Sequence, residues 1–161
     1  MRLRTQVQQA LHCCVLMAVS SDGPLSTSFL AETCGLPREY LSKTLQALAR
    51  GKVISATYGP GGGYHLNRQA GEVSILEIVE AIEGPTDTLR SKARVANFGS
   101  RKPLNMLQVV GRIVEEADAA WRAVLDATSV EDLVRQLEFE KTESPPPGTK
   151  VRRGSFAGSS Q

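Results

Sequence analysis

Cysteine is scarce in this chain: three in 161 residues, Cys13, Cys14 and Cys34. Three thiols, two of them adjacent, make no disulfide framework, and free thiols point to a reducing compartment. Histidine is scarcer still, and His12 and His65 are too isolated to serve as metal ligands. No Ser/His/Asp set, paired-carboxylate site or metal-spaced cluster can be assembled, so an enzyme has little support. Long apolar runs are missing too, since nothing approaches the roughly 20 residues that a membrane helix needs. Ala10–Val19 behind Arg2 and Arg4 mimics the first two regions of a signal peptide. His12 interrupts that run, however, and Gln6, Gln8 and Gln9 dilute it. Val7, Ala10, Leu11, Cys14 and Ala18 fall at helical spacing instead. The expectation is an amphipathic helix in a cytoplasmic protein with no membrane attachment. Internal repeats are also absent.

The chain is 41% hydrophobic and 22% charged, an ordinary globular composition. The net charge of +2 hides a division. Residues 1–70 carry seven Lys/Arg against three Asp/Glu, residues 71–140 eight against thirteen, and residues 141–161 four against one. A basic first half followed by an acidic second suits a polyanion-binding module joined to something else.

Local signals divide the chain further. A first helix over about Arg4 to Ser20 ends at Ser21-Asp22-Gly23-Pro24, a strong turn. Ser26 is placed to cap a short helix over Thr27 to Thr33, with Phe29 and Leu30 facing inward. Gly35 closes it in a left-handed conformation and Pro37 opens the next helix. That helix has an apolar stripe of Leu41, Leu45 and Leu48, with Arg38, Glu39, Ser42, Lys43 and Gln46 on the other side, and Gly51 ends it. Val53 to Tyr58 is β-branched and aromatic, Gly59-Pro60-Gly61-Gly62-Gly63 turns, and Tyr64-His65-Leu66 returns, as a hairpin requires. Ser74 with Glu77 forms a capping box for a helix through about Ile82, stopped by Gly84-Pro85. Residues 86–103 show no periodicity. From Leu104 a helix resumes, with Leu107, Val110, Val114, Ala117, Trp121 and Val124 in a heptad-type seam. Ser129 with Asp132 caps a last helix ending near Phe139. The rest is Pro, Gly, Ser and basic residues, a composition that stays disordered.

The fold class that follows is mainly α with a small β-hairpin wing: a winged helix-turn-helix plus a long C-terminal dimerisation helix. The divisions are 1–84 for the DNA-binding domain, 85–103 for a linker, 104–140 for the dimerisation and C-terminal helices, and 141–161 for a disordered tail. A recognition helix must present short polar or basic side chains near its N-terminal end. Arg38, Glu39, Tyr40, Ser42 and Lys43 meet that demand: Arg and Lys bond guanine, Glu accepts from cytosine, and Ser serves either. A solvated helix face would look the same from this helix alone. The glycine run has two further readings. A phosphate cradle leads from strand into helix, whereas this run leads into Tyr64-His65-Leu66, a strand, so that reading fails. A wing remains, in which Gly61, Gly62 and Gly63 let the backbone approach DNA closely, beside the alternative of an ordinary flexible hairpin. The seam from Leu107 to Val124 is core or dimer interface. A single stripe on so long a helix favours a partner, with Trp121 as its anchor. Cys13 and Cys14 read as small buried hydrophobes, and about 100° of helix rotation keeps both from one metal. Cys34, beside the recognition helix, is a candidate redox residue. Lys150, Arg152 and Arg153 either add non-specific phosphate attraction or belong to an inert tail.

The start MRLRTQ, the run PLSTSFLAETCGLPREYLSKTLQALARGKVISATYGPGGGYHL and the continuation SILEIVEAIEGP together resemble the bacterial winged-helix regulators typified by IscR, NsrR, CymR and RirA. The resemblance extends through Trp121 and Ser129–Leu133, roughly residues 1–135. It implies a homodimer on a palindromic operator in double-stranded DNA. The recognition helix would enter the major groove, the wing would lie over the minor groove, and the long helix would cross its symmetry mate. It also implies that Glu39, Tyr40, Ser42 and Lys43 match base-contacting positions, while Arg2 and Thr5 lie near phosphates. Two departures stand out. Many members hold an iron–sulfur cluster through three cysteines between the helix ending EGP and the long helix, and residues 85–128 here contain none. Thiolates hold such clusters, so the expectation is a member without this cofactor. Tyr58 stands where members commonly have an arginine that probes the minor groove; tyrosine either reads it less strongly or stacks on sugar and phosphate. The leading expectation is a dimeric transcription regulator, a repressor, open to a protein or small-molecule effector. The alternative is a protein-interaction module of the same fold in which DNA binding is secondary.

Overall fold

The computed structural model describes residues 4–20, 23–84 and 105–143, with side chains in the last segment described over 109–139. Arg2 therefore lies outside the described residues, as do the whole of the expected linker, 85–103, and residues 144–161 of the expected tail.

Four helices and a hairpin follow one another in chain order: α1 (Thr5–Val19), α2 (Thr27–Cys34), α3 (Arg38–Arg50), β1 (Ile54–Thr57), β2 (Gly63–Leu66) and α4 (Ile75–Glu83), with one 3₁₀ turn (Ala70–Glu72) before α4. Two more helices, α5 (Asn105–Asp126) and α6 (Val130–Glu143), complete the described chain. The caps form as their sequences require. The Ser26 hydroxyl accepts from the Phe29 N–H at 3.1 Å. Ser74 and Glu77 bond each other's backbone N–H groups reciprocally, and Asp132 accepts from the Ser129 N–H while Ser129 accepts from the Asp132 N–H. Each arrangement satisfies donors that the first helical turn leaves orphaned.

Helix α1 is the centre of the packing, touching α2, α3, α4, α6 and β2. Neighbours on several sides bury a broader face than one stripe: Val7, Ala10, Cys13, Cys14 and Met17. Around them lie Leu30, the leucines 41, 45 and 48 of α3, Val53, Ile54, Ile78, Val79 and Val130. Three expectations shift. Phe29 does not face inward; it is 49% exposed and Leu30 alone of that pair enters the core. Strand β1 is shorter than expected, with Val53 buried ahead of it and Tyr58 beyond it. Helix α6 passes Phe139 and runs to Glu143, into the segment expected to be disordered.

Val130 at 0% exposure places the start of α6 in the core of the first half. Its N–H donates to the Val73 carbonyl at 2.9 Å, and the Ile75 N–H donates to the Thr128 carbonyl at 2.9 Å. The α5–α6 corner is thereby stitched to the start of α4. The ion pair of Arg122 with Glu80, at 2.6 Å, adds a second tie between α5 and α4.

Candidate nucleic-acid interface

The helix-turn-helix is built by α2 and α3. Gly35 takes a left-handed φ of 64°, where a side chain would be strained, and its N–H reaches the Ala31 and Glu32 carbonyls. The Leu36 N–H donates to the Ala31 carbonyl at 2.9 Å, closing the turn. Pro37, extended at φ −60° and ψ 135°, is the residue from which α3 starts. The inner face of α3 is Leu41, Thr44, Leu45 and Leu48, all at 0% exposure. Burying those four side chains fixes the rotation of the helix, and so decides what its outer face presents.

That outer face carries Arg38, Glu39, Tyr40, Lys43 and Gln46, all exposed, with Ser42 half-buried. The Ser42 hydroxyl donates to the Arg38 carbonyl at 2.8 Å, so its proton is engaged and its oxygen remains as an acceptor. Glu39 is the single acid of this face.

The wing pairs Ile54 with Leu66, Ser55 with His65, Ala56 with Tyr64 and Thr57 with Gly63. Its glycines are each required by the backbone, for two different reasons. Gly59 and Gly61 take φ of 103° and 79°. Gly62 and Gly63 lack the room for a side chain: a Cβ on Gly62 would collide with the Thr57 carbonyl, and one on Gly63 with the Leu25 carbonyl. The second collision has a clear origin. Leu25, just ahead of α2, exchanges hydrogen bonds with Tyr64 at 2.9 and 2.8 Å, bridging the wing to the helix-turn-helix. At the other end the Val53 N–H donates to the Leu48 carbonyl at 3.0 Å, tying β1 to the end of α3. The wing is thus tied to the helix-turn-helix at two points, ahead of α2 and at the end of α3. Tyr58 stands at the tip, 94% exposed. Thr5, the first residue of α1, is exposed, and neighbouring Arg4 lies 3.8 Å from Glu83.

The expected dimer seam divides. Leu107 lies on α5, ahead of the described side chains. Val110, Val114, Ala117 and Val124 are exposed, joined by Val109 and Ile113, which the heptad pattern omitted. Trp121 is half-buried and packs with Leu125 against the protomer's own core, so only part of its surface is left for a partner.

Two of the three thiols sit in surroundings that oppose the thiolate form. Cys13 and Cys14 are buried, and burial pushes the Cys14 thiol up to about 12. Burial, with Cys34 close by, pushes Cys13 upward as well. Thiolate ligation is disfavoured at both. Among the described residues no three His, Cys, Asp or Glu side chains gather in a metal-holding group.

Comparison with known proteins accords with this geometry. The family described as Rrf2, iron-dependent transcriptional regulator, matches residues 3–136. The protein named as HTH-type transcriptional regulator BadM of Rhodopseudomonas palustris is 26% identical over 157 residues, 96% of each chain. The HTH-type transcriptional regulator IscR of Xenorhabdus nematophila is 27% identical over 139 residues, 86% of this chain and 82% of that one. Among solved structures, IscR of T. potens superimposes with a TM-score of 0.66 at 20% identity, covering 90% of this chain and 94% of that one. CymR (YrzC), the global cysteine regulator of B. subtilis, does so at 0.63 and 24%, covering 84% and 98%. At those identities the structural likeness establishes the winged-helix fold.

Proposed function

Because this chain belongs to the Rrf2 family of transcriptional regulators and is a DNA-binding regulator rather than an enzyme, we propose that it acts in the cytoplasm as a homodimer. In this reading it represses transcription by occupying palindromic operators, and it does so without a family-type iron–sulfur cluster. One observation carries the proposal. Helix α3 buries Leu41, Thr44, Leu45 and Leu48 and turns Arg38, Glu39, Tyr40 and Lys43 outward, at the end of the helix that can reach base edges.

Arg38 and Lys43 supply donors suited to guanine O6 and N7, and Glu39 accepts from cytosine N4. Ser42, its proton engaged within the helix, contributes an acceptor. The wing brings bare glycine backbone and the Tyr58 ring toward the sugar-phosphate chain, and Thr5 at the start of α1, with Arg2 of the preceding sequence, supplies further phosphate contacts. Dimerisation is supported by the exposed aliphatic side chains Val109, Val110, Ile113 and Val114 on one helix, a contiguous apolar patch that water disfavours. Two chains related by a two-fold axis would place two recognition helices on two half-sites about one helical turn apart. The reading without a cluster is supported by the donor set: no cysteine between residues 85 and 128, and Cys13 and Cys14 buried. A protein or small-molecule effector then supplies the signal.

A gel shift across a salt series tests the DNA-reading role against the protein-interaction alternative. A DNA reader loses affinity steeply as phosphate contacts are screened. Affinity for duplex DNA that stays weak and indifferent to salt would favour the interaction module.

A further inference from the structure

The function above uses none of the three thiols, yet two of them meet. Cys13 lies in the middle of α1 and Cys34 is the last residue of α2, with their sulfurs 4.0 Å apart across 21 positions of sequence. A disulfide needs about 2.05 Å between sulfurs, so roughly 2 Å must be closed. The two partners differ in freedom. Cys13 is fixed in the core at 0% exposure. Cys34 is half-buried, terminates its helix and is followed by the left-handed Gly35. Cys14, about 100° away around α1, is enclosed in the core at 0% exposure.

We propose that a hydroperoxide converts Cys13 and Cys34 to an intramolecular disulfide, and that this crosslink weakens DNA binding by displacing the corner between α2 and α3. The accessible Cys34 reacts first. Its sulfur attacks the O–O bond, an S–O bond forms, and the departing oxygen leaves as water or alcohol with the thiol proton, giving a sulfenic acid. The Cys13 sulfur then attacks the Cys34 sulfur, the S–S bond forms, the S–O bond breaks, and hydroxide leaves with the Cys13 proton as water. Two thiols are oxidised by two electrons and one hydroperoxide is reduced by two. Burial disfavours the Cys13 thiolate, which leaves the first reaction with the oxidant to Cys34.

The crosslink acts on a corner that sets α3. The Gly35 and Leu36 N–H groups fold that corner back onto the Ala31 and Glu32 carbonyls, and the chain enters α3 two residues later through Pro37. Drawing Cys34 toward α1 moves the start of the helix that carries Arg38, Glu39 and Tyr40. This regulatory effect rests on the DNA-reading role; the crosslink does not.

The test treats the full chain with hydrogen peroxide, blocks residual thiols and maps them by mass. Trypsin leaves all three cysteines in one peptide, residues 5–38, so a second cleavage after Asp22 and Glu32 is needed to separate Cys34 from Cys13 and Cys14. The expected product is a linked Cys13–Cys34 pair, two hydrogens lighter, that persists in Cys14→Ala and disappears in Cys34→Ser. A genomic DNA fragment selected by the reduced wild-type protein should bind the oxidised protein at least tenfold more weakly. Dithiothreitol should restore that affinity, and Cys34→Ser should ignore the peroxide. A Cys34 sulfinic acid, or a crosslink between two chains, would overturn the site. A linked pair with unchanged affinity would overturn the coupling to DNA. If reduced protein selects no fragment, the DNA-reading role and the coupling fall together, while the mass map still decides the disulfide.

Discussion

Helices α3 and α5 both display one long face to solvent, and the two faces are opposites. On α3 the apolar side chains are spent inward, and what remains outside is Arg38, Glu39, Tyr40, Lys43 and Gln46. On α5 the aliphatic residues Val109, Val110, Ile113, Val114 and Val124 are themselves outside. The difference is one of neighbours. Helix α3 packs against α1, α2, α4 and β1, whereas α5 rests on α4. A helix whose apolar face is satisfied at home has a polar face free to read a partner of opposite charge. A helix whose apolar face is unsatisfied needs a partner of its own kind. Helix α6, although it follows α5, sides with the first group, because Val130 and the hydrogen bond to Val73 anchor it in the same core.

The contrast can be broken at the long helix first. Ile113→Asp should turn a dimer into a monomer in sedimentation at micromolar concentration. It should lower affinity for the selected fragment on the order of a hundredfold, through lost bivalency. An unchanged dimer would place the interface elsewhere. Two glycine substitutions sharpen the comparison from the side of stability. Gly63→Ala forces a Cβ against the Leu25 carbonyl and should cost about 2 to 3 kcal/mol in urea unfolding. Gly111→Ala on α5 meets nothing within 4 Å and should add up to about 1 kcal/mol through helix propensity. Lys43→Ala should weaken operator binding about tenfold with unfolding unchanged. If Lys43 touches phosphate rather than base, the salt slope should also fall by about one.

The smallest effect concerns Glu77. Burial opposes its charge, but the Arg68 hydrogen bond, the Ser74 N–H and the Arg68 charge outweigh it and hold the carboxyl below its ordinary value. A lowered folded value means the stabilisation is present above the unfolded carboxylate range and is lost as pH falls through the folded value. The pair is more than a third exposed, so Glu77→Gln should cost at most about 0.5 kcal/mol at pH 7, and the difference should fade as pH falls through the folded carboxyl's lowered value. A difference that persists at low pH would trace the loss to packing instead.

What could be seen in advance was local. Ser26, Ser74 and Ser129 each bond a group three residues away, and Leu41, Leu45 and Leu48 lie one helical turn apart, so sequence spacing alone reveals them. The rest depended on distant segments. The sequence predicts Phe29 inward beside Leu30, but a helix of eight residues presents few positions to the core, and Leu30 with Ala31 takes them. The glycine run reads as backbone freed for close DNA approach, but the nearest constraints on Gly62 and Gly63 are the Thr57 and Leu25 carbonyls, the second of them 38 positions from Gly63 in the chain. A heptad template selected Val110 and Val114 but omitted Val109 and Ile113, since a solvent-facing surface is wider than a two-position seam. Trp121 stood out by size, and its half-burial depends on where α5 meets the core. The Cys13–Cys34 contact joins two helices whose relative placement no periodicity encodes.

The most direct measurement is selection of sheared genomic fragments by the purified reduced protein, followed by footprinting of the enriched DNA. The account predicts enrichment of fragments sharing an inverted repeat. Two protected half-sites should lie about one helical turn apart, with two chains bound per site. No enrichment over bulk DNA, or a single unrepeated footprint holding one chain, would contradict it.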